Sequence, residues 1–315
     1  MRSSVRVLPE LFLSRLKKII PSQKLDSAAN TFSDQKPTTF RVNSLKTNRN
    51  SVKEELERQK FRLESVSWYS DAFVLREGRL KDLEKTEIYQ KGEIYVQNLS
   101  SMIPPLVLDP KPGEMVLDLT AAPGSKTTQM ANLMKGEGKI LANESDKIRF
   151  EKLKSNLVLQ GVGNAEAILS YGESIGRKFP ETFDKVLLDA PCSAEGRFDA
   201  RTPSTYRYWN LKVVGGNSKL QKKLLASAIA ALKPGGSLVY STCTFAPEEN
   251  EEVVNDALLK FTNLELETVS LKIPTQMAGL STWEGQKFSP ELRKAVRILP
   301  TETMEGFFLA RMRRK

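Results

Sequence analysis

The 315-residue chain contains no histidine and only two cysteines, Cys192 and Cys243. Without histidine, Ser-His-Asp triads, histidine-based general catalysis and most zinc sites are excluded, so we expect no metal. Two cysteines do not make the disulfide framework of a small secreted protein. No apolar run approaches the roughly 18–20 residues that a membrane-spanning helix needs. Residues 1–20 mix Arg and Lys with apolar residues, which is not typical of a signal peptide, so a cytoplasmic protein is expected.

Basic residues outnumber acidic ones by 48 to 38, which gives a formal net charge of +10. Such an excess favours a polyanionic partner, usually nucleic acid. Residues 1–62 hold fourteen Lys or Arg, and residues 197–223 hold seven against Asp199 alone. The second stretch also contains aromatic side chains on which unpaired bases can stack, namely Phe198, Tyr206, Tyr208 and Trp209. We therefore expect this stretch to contact nucleic acid.

The middle of the chain alternates short apolar strands with helical stretches, and this pattern predicts a parallel sheet with helices on both faces. Its predicted strands are Met115–Ala121, Lys139–Asn143, Ala165–Ser170, Asp184–Leu188 and Ser237–Tyr240, with a closing strand at Gly306–Met312. Its predicted helices are Lys126–Met134, Lys147–Gln160 and Lys219–Leu232.

Residues 1–90 lack this alternation, so we interpret them as a separate small α+β module that binds RNA, followed by a catalytic domain over residues 91–315. The predicted elements of the module are a helix at Leu8–Ile20, a strand at Thr39–Asn43, a helix at Ser51–Gln59 and a hairpin at Ser67–Val74. A helix over Gln97–Leu108 is predicted to join the two parts.

The first strand of the alternating region ends in a turn of small residues, Thr120–Lys126. Small residues between a strand and a helix let the backbone approach a ligand and direct helix N–H groups at it. Glu144 follows the second strand, where ribose hydroxyls are bound in such folds. The dinucleotide pattern G-x-G-x-x-G is missing, and Ser125 between Gly124 and Lys126 breaks the P-loop pattern. S-adenosylmethionine, which has no pyrophosphate, fits best; a ligand-free turn is the alternative.

Both cysteines follow predicted strands, Cys192 within Asp189-Ala190-Pro191-Cys192 and Cys243 within Ser241-Thr242-Cys243. Ligands bind outside the carboxyl ends of strands in an open parallel sheet, so we expect both thiols beside the cofactor turn. A lone cysteine is usually a small buried hydrophobe, but two at neighbouring strand ends favour a reactive pair. A reactive thiol also needs a nearby cation, such as Lys126, to lower its pKa.

Three segments resemble the signature motifs of the Sun family of RNA 5-methylcytosine methyltransferases: Leu117–Lys126, Asp189–Gly196 and Ser241–Glu252. Further matches extend the resemblance over most of the chain, at Phe40–Asn43, Tyr95–Asn98 and Gly306–Phe308. Within the family, Ala121–Gln129 and Ala142–Glu144 most resemble the bacterial enzymes that modify small-subunit ribosomal RNA. The resemblance implies an α/β, Rossmann-like class I methyltransferase fold, acting as a monomer on RNA, ribosomal rather than transfer RNA.

The resemblance also implies the role of each site residue. Cys243 is the nucleophile at carbon 6 of cytosine, which activates carbon 5, and Cys192 assists product release. Asp189 holds the cytosine, with Lys126 near it. The implied residues at the cofactor are Thr120, Ala121, Ala122, Pro123, Gly124, Ser125, Lys126, Glu144, Arg149, Tyr171 and Asp189.

Three positions depart from the family pattern: Tyr171 replaces an aspartate that holds the adenine amine, Ala194 a glycine and Thr301 a histidine. Two other functions are considered. A DNA cytosine methyltransferase also has its nucleophile in a Pro-Cys motif, but the second thiol argues against it. An RNA-binding assembly factor with a weakened cofactor site is the other, and the presence of both cysteines with Asp189 and Lys126 argues against it.

Overall fold

A four-stranded antiparallel sheet, with strand order β2-β3-β1-β4, lies in the N-terminal part of the chain. The computed structural model describes residues 8–315, so the first seven residues of the predicted module lie outside it. The elements of this part are α1 Glu10–Ile19, α2 Ser22–Asn30, β1 Thr39–Val42, α3 Arg49–Arg58, β2 Arg62–Ser65, β3 Ala72–Glu77, α4 Leu80–Leu83, α5 Glu87–Gln90 and β4 Ile94–Val96.

Helix α3 covers this sheet because its apolar residues recur at helical spacing. Val52 and Leu56 are buried in one cluster with Phe40 and Phe73 of the sheet. Asn48 begins the helix, since its side-chain oxygen accepts a hydrogen bond from the backbone N–H of Ser51 at 3.0 Å. The predicted hairpin is formed, but its first strand comes earlier in the chain than the pattern indicated.

Helices α1 and α2 pack against the larger domain rather than against the four-stranded sheet. The ring of Phe12 lies 4.9 Å from that of Phe198, and Arg15 forms an ion pair with Glu248 at 2.6 Å. The fourth strand of the small sheet, β4, lies beyond residue 90. The two structural units therefore interleave along the chain, and the predicted boundary falls inside the smaller sheet.

The second, nine-stranded sheet has a parallel half and an antiparallel half, with strand order β11-β14-β15-β9-β8-β5-β6-β7 and β10 paired with β15. Its strands are β5 Met115–Asp118, β6 Lys139–Glu144, β7 Ala165–Leu169, β8 Phe183–Asp189, β9 Leu232–Thr242, β10 Leu264–Glu267, β11 Gln276–Ala278, β14 Val296–Ile298 and β15 Phe307–Arg314. The hairpin β12 Thr282–Trp283 with β13 Gln286–Lys287 is separate. The helices are α6 Leu99–Leu108, α7 Ser125–Leu133, α8 Lys147–Leu159, α9 Ile175–Lys178, α10 Leu211–Ala231 and α11 Glu251–Lys260.

These elements confirm the predicted α/β, Rossmann-like fold with an additional N-terminal module. Strands β5 to β9 run parallel, so their carboxyl ends meet at one edge of the sheet. Asp189 at the end of β8 lies in register with Ser241 near the end of β9. That pairing brings the segments that contain the two cysteines side by side.

Helix α10 begins at Leu211, eight residues before the predicted start. The adjacent Gly215 and Gly216 weaken the local helical signal there, because glycine is a poor helix former. Asn210 caps the first turn by accepting a hydrogen bond from the N–H of Val213 at 3.1 Å. In the part of the chain that the structure describes, neither this helix nor any other is long and apolar enough to cross a membrane.

Candidate active site

A cavity of about 750 Å³ opens at the carboxyl ends of the parallel strands. The structure brings almost all of the predicted site residues to its wall. Those that line it are Thr120, Ala121, Ala122, Pro123, Ser125, Lys126, Glu144, Arg149, Tyr171, Asp189, Cys192 and Cys243. Gly124, at the beginning of α7, lies between the lining residues Pro123 and Ser125 in the chain.

The two cysteines face each other, with their sulfur atoms 3.3 Å apart and no disulfide between them. The hydrogen bond to Cys243 raises the pKa of the Cys192 thiol well above its usual range, and burial and the nearby charges of Cys243 and Glu249 act in the same direction. Cys192 therefore keeps its proton. With its proton in place, Cys192 can donate a hydrogen bond to the sulfur of Cys243.

Lys126 and Asp189 form an ion pair of 2.6 Å, and the ammonium also donates to Ser101 Oγ at 2.6 Å. The other carboxylate oxygen of Asp189 accepts from Ser241 Oγ at 2.7 Å. Both oxygens are thus held in place, and Asp189 lines the cavity. The prediction had Lys126 as the cation beside a thiol; among residues 8–315, the hydrogen bonds of its ammonium go to Asp189 and Ser101.

Arg197 is a second cation in the wall of the cavity. Its Nε lies 3.6 Å from Oε2 of Glu305, whose negative charge is the largest cause of the raised pKa of Arg197, followed by smaller contributions of Cys243 and Cys192. Sequence reasoning counted Arg197 only as part of a basic stretch and missed Glu305. The available signal for Glu305 was its position directly before the Gly306–Phe308 motif.

The turn after β5 owes its shape to Gly124, which has a φ of +106° at the start of α7. A Cβ at this position would lie 3.1 Å from Leu153 Cδ1, so a side chain would also be crowded. The backbone N–H of Ala121 donates to the carbonyl of Asn143 at 2.8 Å and ties the turn to the end of β6. The two predicted parts of the cofactor site therefore lie side by side.

Within residues 8–315, two buried carboxylates of the cavity wall have an oxygen without a hydrogen-bond partner. Asp118 accepts from Thr127 Oγ1 with one oxygen while its Oδ1 has none, and burial raises its pKa to about 7. Glu144 accepts from the N–H groups of Ser145 and Asp146 at 2.8 and 2.9 Å, while its Oε2 has none. Because buried polar atoms are normally satisfied, these oxygens fit a ligand with hydroxyl or amine donors. Sequence reasoning did not single out Asp118, which lay inside the predicted strand Met115–Ala121 but ends the observed strand β5.

Arg149 and Tyr171 lie on the rim of the same part of the cavity. The guanidinium of Arg149 is 3.5 Å from Glu144 Oε2 and donates to the carbonyl of Ala122 at 2.8 Å. The side chain of Tyr171 is 75% exposed. A ring in this position can stack on a flat ligand group but cannot supply the carboxylate that the family pattern has there.

Two glycines bring the segments around Gly196, Cys243 and Gly306 into contact. The N–H of Gly196 donates to the carbonyl of Cys243 at 2.9 Å, and the N–H of Gly306 donates to the carbonyl of Gly196 at 3.2 Å. A Cβ at Gly196 would lie 2.1 Å from the carbonyl oxygen of Gly306. Ala194, which replaces the glycine of the family pattern, has a φ of +57°, which is unfavourable for a residue with a Cβ.

Part of the predicted stacking surface is wrong. Phe198 is buried, and Trp209 packs edge-on against Phe12 while its indole N–H donates to Glu195 at 2.9 Å. Tyr208 is 72% exposed, with the guanidinium of Arg207 4.5 Å from its ring centroid. Tyr206 is partly buried, with its ring 5.9 Å from that of Phe198, so Tyr208 is the exposed one of the four predicted rings.

A sequence model of the 16S rRNA methyltransferases RsmB/F matches residues 105–313, which is well over half of the chain. A second model, of the N-terminal domain of the 16S rRNA methyltransferase RsmF, matches residues 8–99. The chain belongs to the RsmB/F family. It is thus an S-adenosylmethionine-dependent RNA (cytosine-C5)-methyltransferase, and the predicted Sun-family resemblance is confirmed.

The proteins to which this chain is similar include some named for transfer RNA and some named for ribosomal RNA. The chain is 44% identical to the tRNA (cytosine(49)-C(5))-methyltransferase of Pyrococcus abyssi over 88% of each chain. It is 38% identical to the ribosomal RNA small subunit methyltransferase F of Vibrio atlanticus over 98% of this chain but 64% of that protein. A crystal structure of a methyltransferase homologue from Pyrococcus horikoshii has a TM-score of 0.81 and 34% identity, over 98% of this chain and 100% of that one.

Proposed function

We propose that this protein methylates carbon 5 of cytosine in RNA through a covalent intermediate on Cys243. The observation that carries the proposal is the pair of thiols 3.3 Å apart, beside the Lys126–Asp189 ion pair and in one cavity. The pKa of Cys192 is raised, so its proton stays in place and Cys243 is the thiol that can serve as nucleophile.

The chain's own residues account for each stage. Cys243 forms a bond to carbon 6 of cytosine, and the electron pair of the 5,6 double bond becomes available at carbon 5. Asp189 faces the ring nitrogen and exocyclic amine, where charge changes as the adduct forms, and Lys126 holds that carboxylate in position. After methylation, carbon 5 gives its proton to solvent water, the electron pair left behind restores the 5,6 double bond, and the bond to Cys243 breaks with its sulfur leaving as a thiolate. Cys192, next to Cys243, keeps its proton and assists this release by donating a hydrogen bond to the departing sulfur.

The fit to S-adenosylmethionine rests on the unsatisfied oxygens of Asp118 and Glu144. We propose that Glu144 and Asp118 hold its hydroxyl and amine groups, that residues 120–126 and Arg149 shape its pocket, and that Tyr171 stacks on its adenine. The cofactor supplies the electrophilic methyl group.

We propose ribosomal RNA as the substrate, as the resemblance to the bacterial enzymes predicts, and transfer RNA as the second candidate. The RsmB/F match and the Vibrio relative support ribosomal RNA. The Pyrococcus abyssi relative, which is similar over nearly its whole length, supports transfer RNA. The N-terminal module and the exposed basic residues after Arg197 would contact either RNA. A cytoplasmic location suits a site with two reduced thiols, and the expected monomer stays a prediction.

The test uses labelled S-adenosylmethionine with purified ribosomal RNA, transfer RNA and DNA. We expect label in 5-methylcytosine of one RNA and none in DNA. Cys192→Ala should accumulate a covalent RNA–protein adduct on a denaturing gel, and Cys243→Ala should form none. An adduct lost only in Cys192→Ala would reverse the two roles. Absence of label in every RNA would favour the assembly factor.

A further inference from the structure

Glu249 is fully buried directly behind the segment that contains Cys192. Its carboxylate oxygens accept from the backbone N–H of Ser193, at 3.0 Å to Oε2 and 3.3 Å to Oε1. Oε2 also accepts from the side-chain amide of Gln221 at 2.9 Å, and the same amide donates to the carbonyl of Pro191 at 2.7 Å. The residues on both sides of Cys192 are therefore held by one pair of side chains.

Asn250, the next residue, does the same for Cys243. It is also fully buried. Its Oδ1 accepts from Thr242 Oγ1 at 2.5 Å, and its Nδ2 donates to the carbonyl of Thr244 at 2.9 Å. Thr242 and Thr244 flank Cys243 on its two sides.

One further hydrogen bond closes this arrangement, since the hydroxyls of Ser193 and Thr244 lie 2.8 Å apart. Glu249 is also an expensive residue to bury: loss of solvation raises the pKa of its carboxyl to about 7. A neutral residue would avoid this cost. Above about pH 7, where it is ionised, the carboxylate supplies two acceptors facing the donors of Ser193 and Gln221, which an amide cannot match without turning a donor toward a donor.

We infer that Glu249 and Asn250 form a positioning frame that sets the spacing of the two thiols, with Glu249 aligning Cys192 for release and Asn250 aligning Cys243 for attack. The separate consequences rest on the proposed roles of the two cysteines. Misplacement of a reacting group by about 1 Å can slow a step on the order of 100-fold. Substitutions at two adjacent residues should therefore block two different steps.

The experiment compares Glu249→Gln and Asn250→Asp with Asp256→Asn, which alters a carboxylate on the same helix, α11, that is paired with Lys260. Each protein is mixed with S-adenosylmethionine and the unmethylated form of the RNA that the parent protein modifies. The amount of covalent adduct is then followed over time. Glu249→Gln should accumulate adduct as Cys192→Ala does, roughly tenfold above the parent. Asn250→Asp places an oxygen against the carbonyl of Thr244 and should slow adduct formation roughly tenfold. Asp256→Asn should behave as the parent.

Parental adduct levels in both variants, or the same loss of adduct in both, would overturn the inference. Thermal unfolding is recorded for each protein, and Gln221→Met, which frees the carbonyl of Pro191, replaces Glu249→Gln if that variant does not fold. A second readout needs no RNA: the rate at which diamide joins Cys192 and Cys243 in a disulfide. This rate should fall at least about fivefold in both variants. If Cys192→Ala traps no adduct, the proposed function fails, but the rate of disulfide formation still tests the positioning frame. Equal rates in the parent and the two variants would reject the frame.

Discussion

Lys126 and Asp189 are joined by an ion pair of 2.6 Å in which the lysine side chain is only 9% exposed. Removing the negative partner leaves a nearly buried ammonium with Ser101 as its hydrogen-bond partner.

We predict that Asp189→Asn lowers the methylation rate at least about 100-fold and the free energy of unfolding by about 1–3 kcal/mol. Rates under single-turnover conditions and urea unfolding measure the two effects. The matched control is Asp184→Asn, which alters a carboxylate that is 2.7 Å from Lys233 and outside the cavity. Parental methylation by Asp189→Asn would contradict a role at the cytosine.

The unpartnered oxygen of Asp118 predicts opposite effects on stability and on ligand binding. Asp118→Asn removes a buried carboxyl whose pKa is raised to about 7, so the free energy of unfolding at pH 8 should not fall. Binding of S-adenosylhomocysteine should weaken roughly tenfold, because an acceptor for a ligand donor is replaced. Calorimetry at pH 8 measures the affinity. Equal affinity in variant and parent would place the cofactor amine or hydroxyls elsewhere.

The raised pKa of Glu249 predicts how stability depends on pH. The folded protein holds this proton up to about pH 7, whereas the unfolded chain releases it near its usual value of 4.5. The folded state therefore binds more protons between these values, and the free energy of unfolding falls as pH rises through them. The contribution is at most about 3 kcal/mol. Glu249→Gln should flatten this part of the curve in urea unfolding between pH 4.5 and 8, and an unchanged slope would contradict the assignment.

The different positions of Tyr208 and Trp209 predict separable effects. Tyr208→Ala should weaken RNA binding by about 1–3 kcal/mol if its ring stacks on a base, with unchanged stability. Trp209→Ala removes ring contacts with Phe12 and Phe198 and a hydrogen bond to Glu195, so it should lower the free energy of unfolding by about 3 kcal/mol. Filter binding and urea unfolding measure the pair. Loss of RNA affinity in Trp209→Ala alone would reverse the assignment.

The positive φ of Ala194 predicts a stabilising substitution. Ala194→Gly relieves the clash of a Cβ in the left-handed region and should raise the free energy of unfolding by up to about 1 kcal/mol. Ala226→Gly in helix α10 is the matched control and should lower it by about 1 kcal/mol. The urea midpoint decides between them, and a loss of stability in Ala194→Gly would show that the loop tolerates alanine without strain.

The sequence predicted the sheet and the site at its carboxyl edge because both depend on local signals. Apolar runs mark buried strands such as β8, and reactive residues such as Cys192 follow them directly. The Sun-family resemblance then supplied the roles of the two thiols, which neither composition nor strand placement could distinguish.

What the sequence could not provide depends on contacts between distant segments. Glu249 and Asn250 follow Cys243 by six and seven residues in the chain, but nothing local shows that Glu249 holds the segment of Cys192 instead. Phe198 carries the same local features as a stacking residue, and only its packing against Phe12 makes it part of the core. The predicted helix at Lys219–Leu232 starts too late because Gly215 and Gly216 weaken the local helical signal. In the folded protein, tertiary packing of the following turns compensates for these glycines.

The close approach of Gly196 and Gly306 limits how this enzyme can be recombined with its relatives. A Cβ at Gly306 would itself lie 2.1 Å from the ring of Phe245. Neither glycine can therefore be replaced by a larger residue unless the neighbouring segments change as well. The segments around Gly196, Phe245 and Gly306 must therefore remain sterically compatible with one another. A chimera that exchanges only one of them should be inactive even when every motif is present, whereas exchanging all three together should retain function.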